Sequence, residues 1–369
     1  MTRKVLYISN FKNEADPDTA LNKAYKRVLF VALTLILVLG GIWYLGKLLN
    51  IKHSEKMYRY FRESDQSYDV LFFGSSHIKN AISPNDLYHE YGIRGYNLSM
   101  QGNYLDSNYY MIRECLDILE KTKRPYPEMI VMDTYDGVQE PGNLHNAWDS
   151  LPLDGTKIQM IKELADDDHK MGFYFPFSLY HNRWNEIVIT DFEVPYNNIL
   201  GIEPGYELYK YDSEWVSYPE MKTEKMEVSN EVFEKIDRIM DLCDERGIKL
   251  VFVYVPDRRY SGVCMSNTIK EYVESRGGTY INFEFEDTGI DYDRDFMDEG
   301  GHLNIRGARK ITHSLGEILS KYGLPDRRGD ENSAVWDSYY SVYLDDARKR
   351  IEETPDIDPY LADTYKGEL

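Results

Sequence analysis

The sequence predicts an α/β fold, a three-layer sandwich around a mainly parallel central sheet, preceded by one transmembrane helix. Three observations carry this expectation. Short apolar runs suited to buried parallel strands alternate with segments of helical periodicity. Glycine-bearing turns follow the first two of these runs, where open α/β sheets place their sites. A single stretch of 19 uncharged residues, 28–46, is long enough to cross a bilayer as helix.

The chain opens with a polar tail, 1–27, followed by the apolar stretch and a juxtamembrane linker, 47–66. A secretory signal has a shorter apolar stretch and a small-x-small cleavage site, and none stands out between Gly46 and His53, so 28–46 reads as an uncleaved signal anchor. Arg3, Lys4, Lys12, Lys23, Lys26 and Arg27 precede it; Lys47, Lys52, Lys56, Arg59 and Arg62 follow. This slight positive-inside bias puts the N-terminus in the cytoplasm and the rest of the chain outside the cell membrane.

Strands are expected at 69–73, 96–98, 129–132, 250–255 and 279–283. The fourth is the most strand-like, being filled with β-branched and aromatic residues and ended by Pro256. Between them, 104–121 reads as a helix with Leu105, Met111, Ile112, Cys115 and Leu119 inward. The stretch 230–246 repeats apolar residues at three- and four-residue steps, with Ser229 or Asn230 as cap and Gly247 as stop. A last helix follows Asn304 and carries Ala308, Ile311, Leu315 and Leu319. Residues 138–228 break the rhythm with prolines at 141, 152, 176, 195, 204 and 219, and read as an insertion within a domain spanning 67–324. The extension 325–369 is acidic, with 12 Asp/Glu against 6 Lys/Arg from residue 326 onward, and is expected to pack on the domain or recruit a partner through an amphipathic piece at 342–351.

A net charge of −20 argues against a nucleic-acid partner, because phosphate binding needs a concentrated basic surface. The three cysteines, Cys115, Cys243 and Cys264, show neither metal-type spacing nor a disulfide framework. No pair of histidines has metal-ligand spacing, so no metal and no cofactor is expected.

Chemistry concentrates in three segments. In Phe72-Phe73-Gly74-Ser75-Ser76-His77 an apolar strand ends in a glycine and two serines, a position from which a nucleophile is presented. Asp298-Glu299-Gly300-Gly301-His302-Leu303-Asn304 sets an imidazole beside two carboxylates; serine needs such a base, and the base needs a carboxylate to hold its tautomer. In Asn97-Leu98-Ser99-Met100-Gln101-Gly102-Asn103, Gly102 lets backbone amides face a developing oxyanion. Each alone is also an ordinary turn.

Taken in this order, the segments resemble the SGNH/GDSL hydrolase superfamily over roughly residues 68–136 and 248–320. The resemblance implies an SGNH/flavodoxin-like fold, Ser76 as nucleophile, Ser75 where the GDSL motif has aspartate, Gly102 as oxyanion glycine and His302 as base. Phe-Gly-Ser-Ser-His behind an N-terminal anchor looks most like the membrane-bound branch containing DltD-like and alginate-acetylation-type proteins. That branch implies serine-dependent acyl transfer or ester hydrolysis on a cell-surface polysaccharide or teichoic-acid-like polymer, beside a membrane-bound O-acyltransferase. Two departures stand out. The family's aspartate lies three residues before its histidine, where this chain has Glu299; Asp298 is expected to orient His302, with Glu299 as the alternative. The family's third-block asparagine is replaced by Asp133, which cannot donate when ionised, leaving Asn103 or Thr134 to substitute. These departures leave room for a rival reading, a weakly catalytic or non-catalytic scaffold that presents polymer to the acyltransferase. In the insertion, His181, Arg183 and Trp184 are candidates for substrate binding, against packing or capping roles; His77 adjoins the nucleophile and is expected to shape the pocket.

Overall fold

The computed structural model describes residues 17–49, 57, 60, 67–137, 140–149, 151–185, 187, 223–257 and 260–353. The start of the polar tail, most of the 47–66 linker, residues 188–222 of the expected insertion and the chain from 354 onward lie outside them.

Five strands, β1 (Val70–Phe73), β2 (Gly95–Asn97), β3 (Met129–Asp133), β4 (Lys249–Tyr254) and β5 (Thr279–Asn282), pair in parallel in the order 2-1-3-4-5. Their side chains alternate between two cores. Leu71, Phe73, Ile130, Met132 and Phe252 point to one face; Val70, Phe72, Met129, Val131, Val251 and Val253 point to the other. Because both faces are covered, the strands read as continuous apolar runs rather than alternating ones.

Helix α1 (Pro17–Leu49) precedes the sheet. Then follow α2 (Ser76–Ala81), α3 (Pro84–Tyr91), α4 (Leu105–Thr122), α5 (Pro141–Trp148), α6 (Gly155–Leu164), α7 (Lys170–Tyr174), α8 (Phe177–Tyr180) with a 3-10 turn at His181–Asn185, α9 (Asn230–Glu245), α10 (Tyr260–Ser275), α11 (Ile305–Lys321) and α12 (Ser333–Glu353). The inward stripes expected of α4 and α9, including Met111, Ile112, Cys115, Ile236, Ile239 and Cys243, fill the first core. Ile78 and Ala81 of α2, Leu87 of α3, and Ile311, Leu315 and Leu319 of α11 fill the second. The result is the three-layer α/β sandwich the alternation of runs predicts. In this strand order the crevice opens beyond the carboxyl ends of β1 and β3, where successive crossovers depart to opposite sides.

The chain divides into two compact units. One holds α1 together with α8 and the 3-10 turn; the other holds the sheet and its covering helices. In α1 the stretch Asn22–Gly46 is long and apolar enough to cross a membrane. No strand is found between β3 and β4 among the described residues; helices α5 to α7 occupy much of that stretch in the second unit.

The acidic extension belongs to the second unit through residues its charge does not advertise. Arg327 donates to Asp69 at 2.8 and 3.1 Å just before β1. Trp336, Tyr340, Tyr343 and Ala347, spaced as one helical stripe, are buried on α12, and the Tyr343 hydroxyl donates to Asp86 on α3 at 2.9 Å. The helix is longer than the 342–351 piece expected, because its aromatic anchors begin a turn and a half earlier.

Candidate active site

The Gly74-Ser75-Ser76 segment is built by the sheet. After β1 the backbone turns at Gly74, whose φ of +134° favours glycine. A Cβ there would lie 2.9 Å from the Asp133 carboxyl carbon. The Gly74 amide donates to Asn108 Oδ1 at 3.1 Å, and the Ser75 amide and hydroxyl donate to Asp133 Oδ2 at 3.0 and 2.6 Å. Ser75 in turn caps α2 by accepting from the His77 amide at 3.2 Å. Ser76 is therefore the first residue of α2, partly exposed, with its own N–H among the first-turn donors a helix does not satisfy internally.

A short antiparallel hairpin, β6 (Phe296–Met297) and β7 (His302–Leu303), carries His302, with a 3-10 turn at Asp298–Gly300 between its strands. Asn304 closes it. The Asn304 amide donates to the Asp295 carbonyl at 2.9 Å, its side-chain nitrogen donates to the Arg294 carbonyl at 2.7 Å, and its Oδ1 accepts from the Arg306 and Gly307 amides that begin α11. The fully buried Asp295 carboxylate is paired with Lys310 and with Arg306, the latter at 3.0 Å.

These two constructions bring together residues 226 positions apart: His302 Nε2 lies 2.7 Å from Ser76 Oγ. On the other side of the ring, Nδ1 lies 3.2 Å from Asp298 Oδ2. With the Nδ1 proton donated to Asp298, Nε2 is the acceptor for the serine proton. Asp298 has a φ of +54°, which asparagine and aspartate tolerate better than other non-glycine residues. The side chain of Glu299, the alternative partner, lies outside the described residues.

A second layer supports the imidazole. The rings of His77 and Tyr135 stack at 3.9 Å with 2° between their planes, and His77 lies 4.9 Å from His302, ring to ring. The Tyr135 hydroxyl makes a short hydrogen bond to the fully buried Asp257, which also accepts from Tyr254 at 3.2 Å. Burial and the neighbouring Asp257 carboxylate push the Tyr254 hydroxyl well above its ordinary value. Burial pushes Asp133 up to about 6, against the two bonds from Ser75 that favour its ionised form.

Of the expected oxyanion residues, Gly102 adopts a φ of +62°, and a Cβ there would lie 2.1 Å from the Asn143 side-chain nitrogen. The two proposed substitutes for the missing asparagine are engaged elsewhere. Asn103 donates its side-chain nitrogen to Asn108 Oδ1 at 2.7 Å and to Met111 Sδ at 3.1 Å, and the Thr134 hydroxyl bonds Tyr280 at 3.1 Å. His181, Arg183 and Trp184 belong to the first unit with α1. Sequence reasoning rejected Asp133 as an oxyanion donor but missed it as the brace of the nucleophile turn. It also passed over Asp257 and Tyr135, whose only local signal is a polar residue shortly beyond an apolar run, and Asn143, which has no local signal.

No protein-family model matches the chain, and no curated protein does. Among solved structures it is similar to a proposed acylhydrolase from Bacteroides fragilis, 10% identical, covering 74% of this chain and 97% of that one with a TM-score of 0.37. A GDSL-like lipase from Bacteroides thetaiotaomicron is 11% identical over 72% and 98% with a TM-score of 0.35. A proposed platelet activating factor from Streptococcus pneumonia is 11% identical over 78% and 99% with a TM-score of 0.34. Likenesses this distant leave the chemistry to the chain's own residues.

Proposed function

We propose that the chain is a serine-dependent acyl-transfer enzyme, an esterase or O-acyltransferase, with Ser76 as nucleophile, His302 as general base and acid, and Asp298 as the residue that orients His302. The observation that supports this most directly is the serine–imidazole–carboxylate chain, joined at 2.7 and 3.2 Å. Ser76 Oγ attacks an ester or thioester carbonyl while His302 Nε2 takes its proton. The imidazolium then returns that proton to the leaving oxygen or sulfur, and the acyl-serine is released to water or to a second hydroxyl by the same steps in reverse. The Ser76 N–H and the turn at Gly102 are assigned to the oxyanion. The Asn143 amide, packed against Gly102, offers a side-chain N–H donor where the Asn103 amide and the Thr134 hydroxyl are committed elsewhere.

The finer reading places this site outside the cell, behind α1 as a signal anchor, acting on acyl groups of a surface polysaccharide or teichoic-acid-like polymer alongside a membrane-bound O-acyltransferase. Its support is the apolar stretch in α1, the slight excess of basic residues before it and the resemblance of the three motif segments.

Labelling of the full-length protein with a fluorophosphonate tests the chemistry. The parent should label, and Ser76→Ala and His302→Ala should not; full labelling of folded Ser76→Ala would remove the assignment. The commitment of Asn103 and Thr134 favours the scaffold as the second reading. In cells the two readings part cleanly: loss of surface acylation in Ser76→Ala supports the enzyme, and acylation retained in Ser76→Ala but lost on deletion of the chain supports the scaffold.

A further inference from the structure

We infer that residues 177–185 are a membrane-interface anchor, a segment that rests in the lipid headgroup layer with Trp184 and Leu179 against lipid. This inference rests on reading α1 as a membrane span.

The uncharged stretch of α1, residues 28–46, is 19 residues long, within the Asn22–Gly46 candidate span. At ~1.5 Å per residue it covers about 28 Å, close to the ~30 Å of a hydrocarbon core, so Gly46 falls at the core's edge. Leu49, the last residue of α1, lies three positions beyond Gly46, or about 4–5 Å farther along the axis. A headgroup layer of roughly 5–7 Å per leaflet begins where the core ends, so the Leu49 carbonyl falls within it.

That carbonyl is where the distant segment attaches. Arg183 Nη1 donates to the Leu49 oxygen at 3.0 Å, satisfying one of the acceptors that a helix leaves unpaired at its C-terminus and placing a cation at the negative end of the helix dipole. α8 and the 3-10 turn pack on α1 within the same compact unit, and His181 Nδ1 donates to the Ser178 carbonyl at 2.7 Å to brace the turn between them. A segment tied to Leu49 stays at the depth of Leu49.

Its composition suits that depth. Trp184 is 71% exposed and Leu179 43% exposed, while Tyr180 is buried. On α1, Trp43 and Tyr44 are also exposed, one turn before the end of the apolar stretch. Tryptophan and tyrosine favour the membrane–water boundary, where an apolar ring and a polar edge are both accommodated, and arginine there meets anionic phosphate. Arg183 and Trp184 thereby acquire a lipid partner in place of the substrate contact expected from sequence.

The test uses full-length protein reconstituted in phosphatidylcholine–phosphatidylglycerol vesicles. A nitroxide is attached at Trp184→Cys, at Leu179→Cys and, as a water-facing reference, at Glu286→Cys; the native Cys115, Cys243 and Cys264 are buried. The ratio of collision with oxygen to collision with an aqueous nickel chelate should be several-fold higher at 179 and 184 than at 286. Adding Arg183→Ala should lower it at 184. A ratio at 184 equal to that at 286, in protein that floats with the vesicles, overturns the anchor and returns Trp184 to a soluble ligand. Protein that does not float removes the span and the anchor together.

Discussion

The turn that carries Ser76 and the hairpin that carries His302 are held by opposite means. Ser75 and Ser76 follow a fully buried strand, and every brace around them, Gly74, Asn108 and Asp133, is itself buried. His302 stands on a two-residue strand and Asp298 in the turn before it, 24% and 45% exposed at the side chain, and the hairpin is closed by hydrogen bonds at its base. The proposed nucleophile is thus placed by the core, while the proposed base is placed by a local staple. Disturbing the first should cost stability and activity together; disturbing the second should cost activity mainly.

The largest effect is expected at the hairpin tip. Asp298→Asn keeps a residue that tolerates positive φ and removes the charge that holds the His302 tautomer, so ester turnover should fall by about 10²–10⁴-fold with the unfolding midpoint nearly unchanged. Undiminished turnover would transfer the orienting role away from Asp298. Gly74→Ala attacks the other side of the comparison: its Cβ enters the Asp133 carboxylate, and urea denaturation should show a loss of about 3 kcal/mol or more together with lost labelling. Stability equal to the parent would mean that the turn is not braced as described.

Asp133 offers a pH test of the core-placed half. Its folded pKa, pushed up to about 6 by burial, exceeds the ordinary carboxylate value, so the native state holds a proton that the unfolded state releases. The contribution is therefore present at pH below about 4 and lost as pH rises to about 6, a change of roughly 2–3 kcal/mol. Asp133→Asn should flatten the stability profile over that window; an unchanged slope would show that Asp133 is not the group responsible. Smallest is Asn304→Ala, which removes the cap of α11 and the clamp on the hairpin: about 1–2 kcal/mol of stability and roughly tenfold in turnover are expected, seen as a lower kcat at similar KM.

The sheet was legible because it is buried on both faces. All five strands of the parallel sheet are found within a residue or so of the apolar runs, and α4, α9 and α11 follow from their periodic stripes and caps. The hairpin was not, since two-residue strands carry no periodicity and are held by Asn304 and Asp295, which resemble ordinary loop residues. α12 is legible only in part, because the charge of the extension masks its aromatic stripe.

The sequence by itself determined which residue types were available for acyl chemistry: a serine after a buried strand, a histidine near a carboxylate, and a glycine turn between them in chain order. Only the tertiary structure decided which of them meet. It gives Ser75's hydroxyl to Asp133, sets His302 2.7 Å from Ser76 and turns Asn103 and Thr134 to other partners. Burial patterns are local and can be read along a chain; hydrogen-bond partners are chosen in space, where a polar group leaving water takes whichever neighbour the packed core supplies.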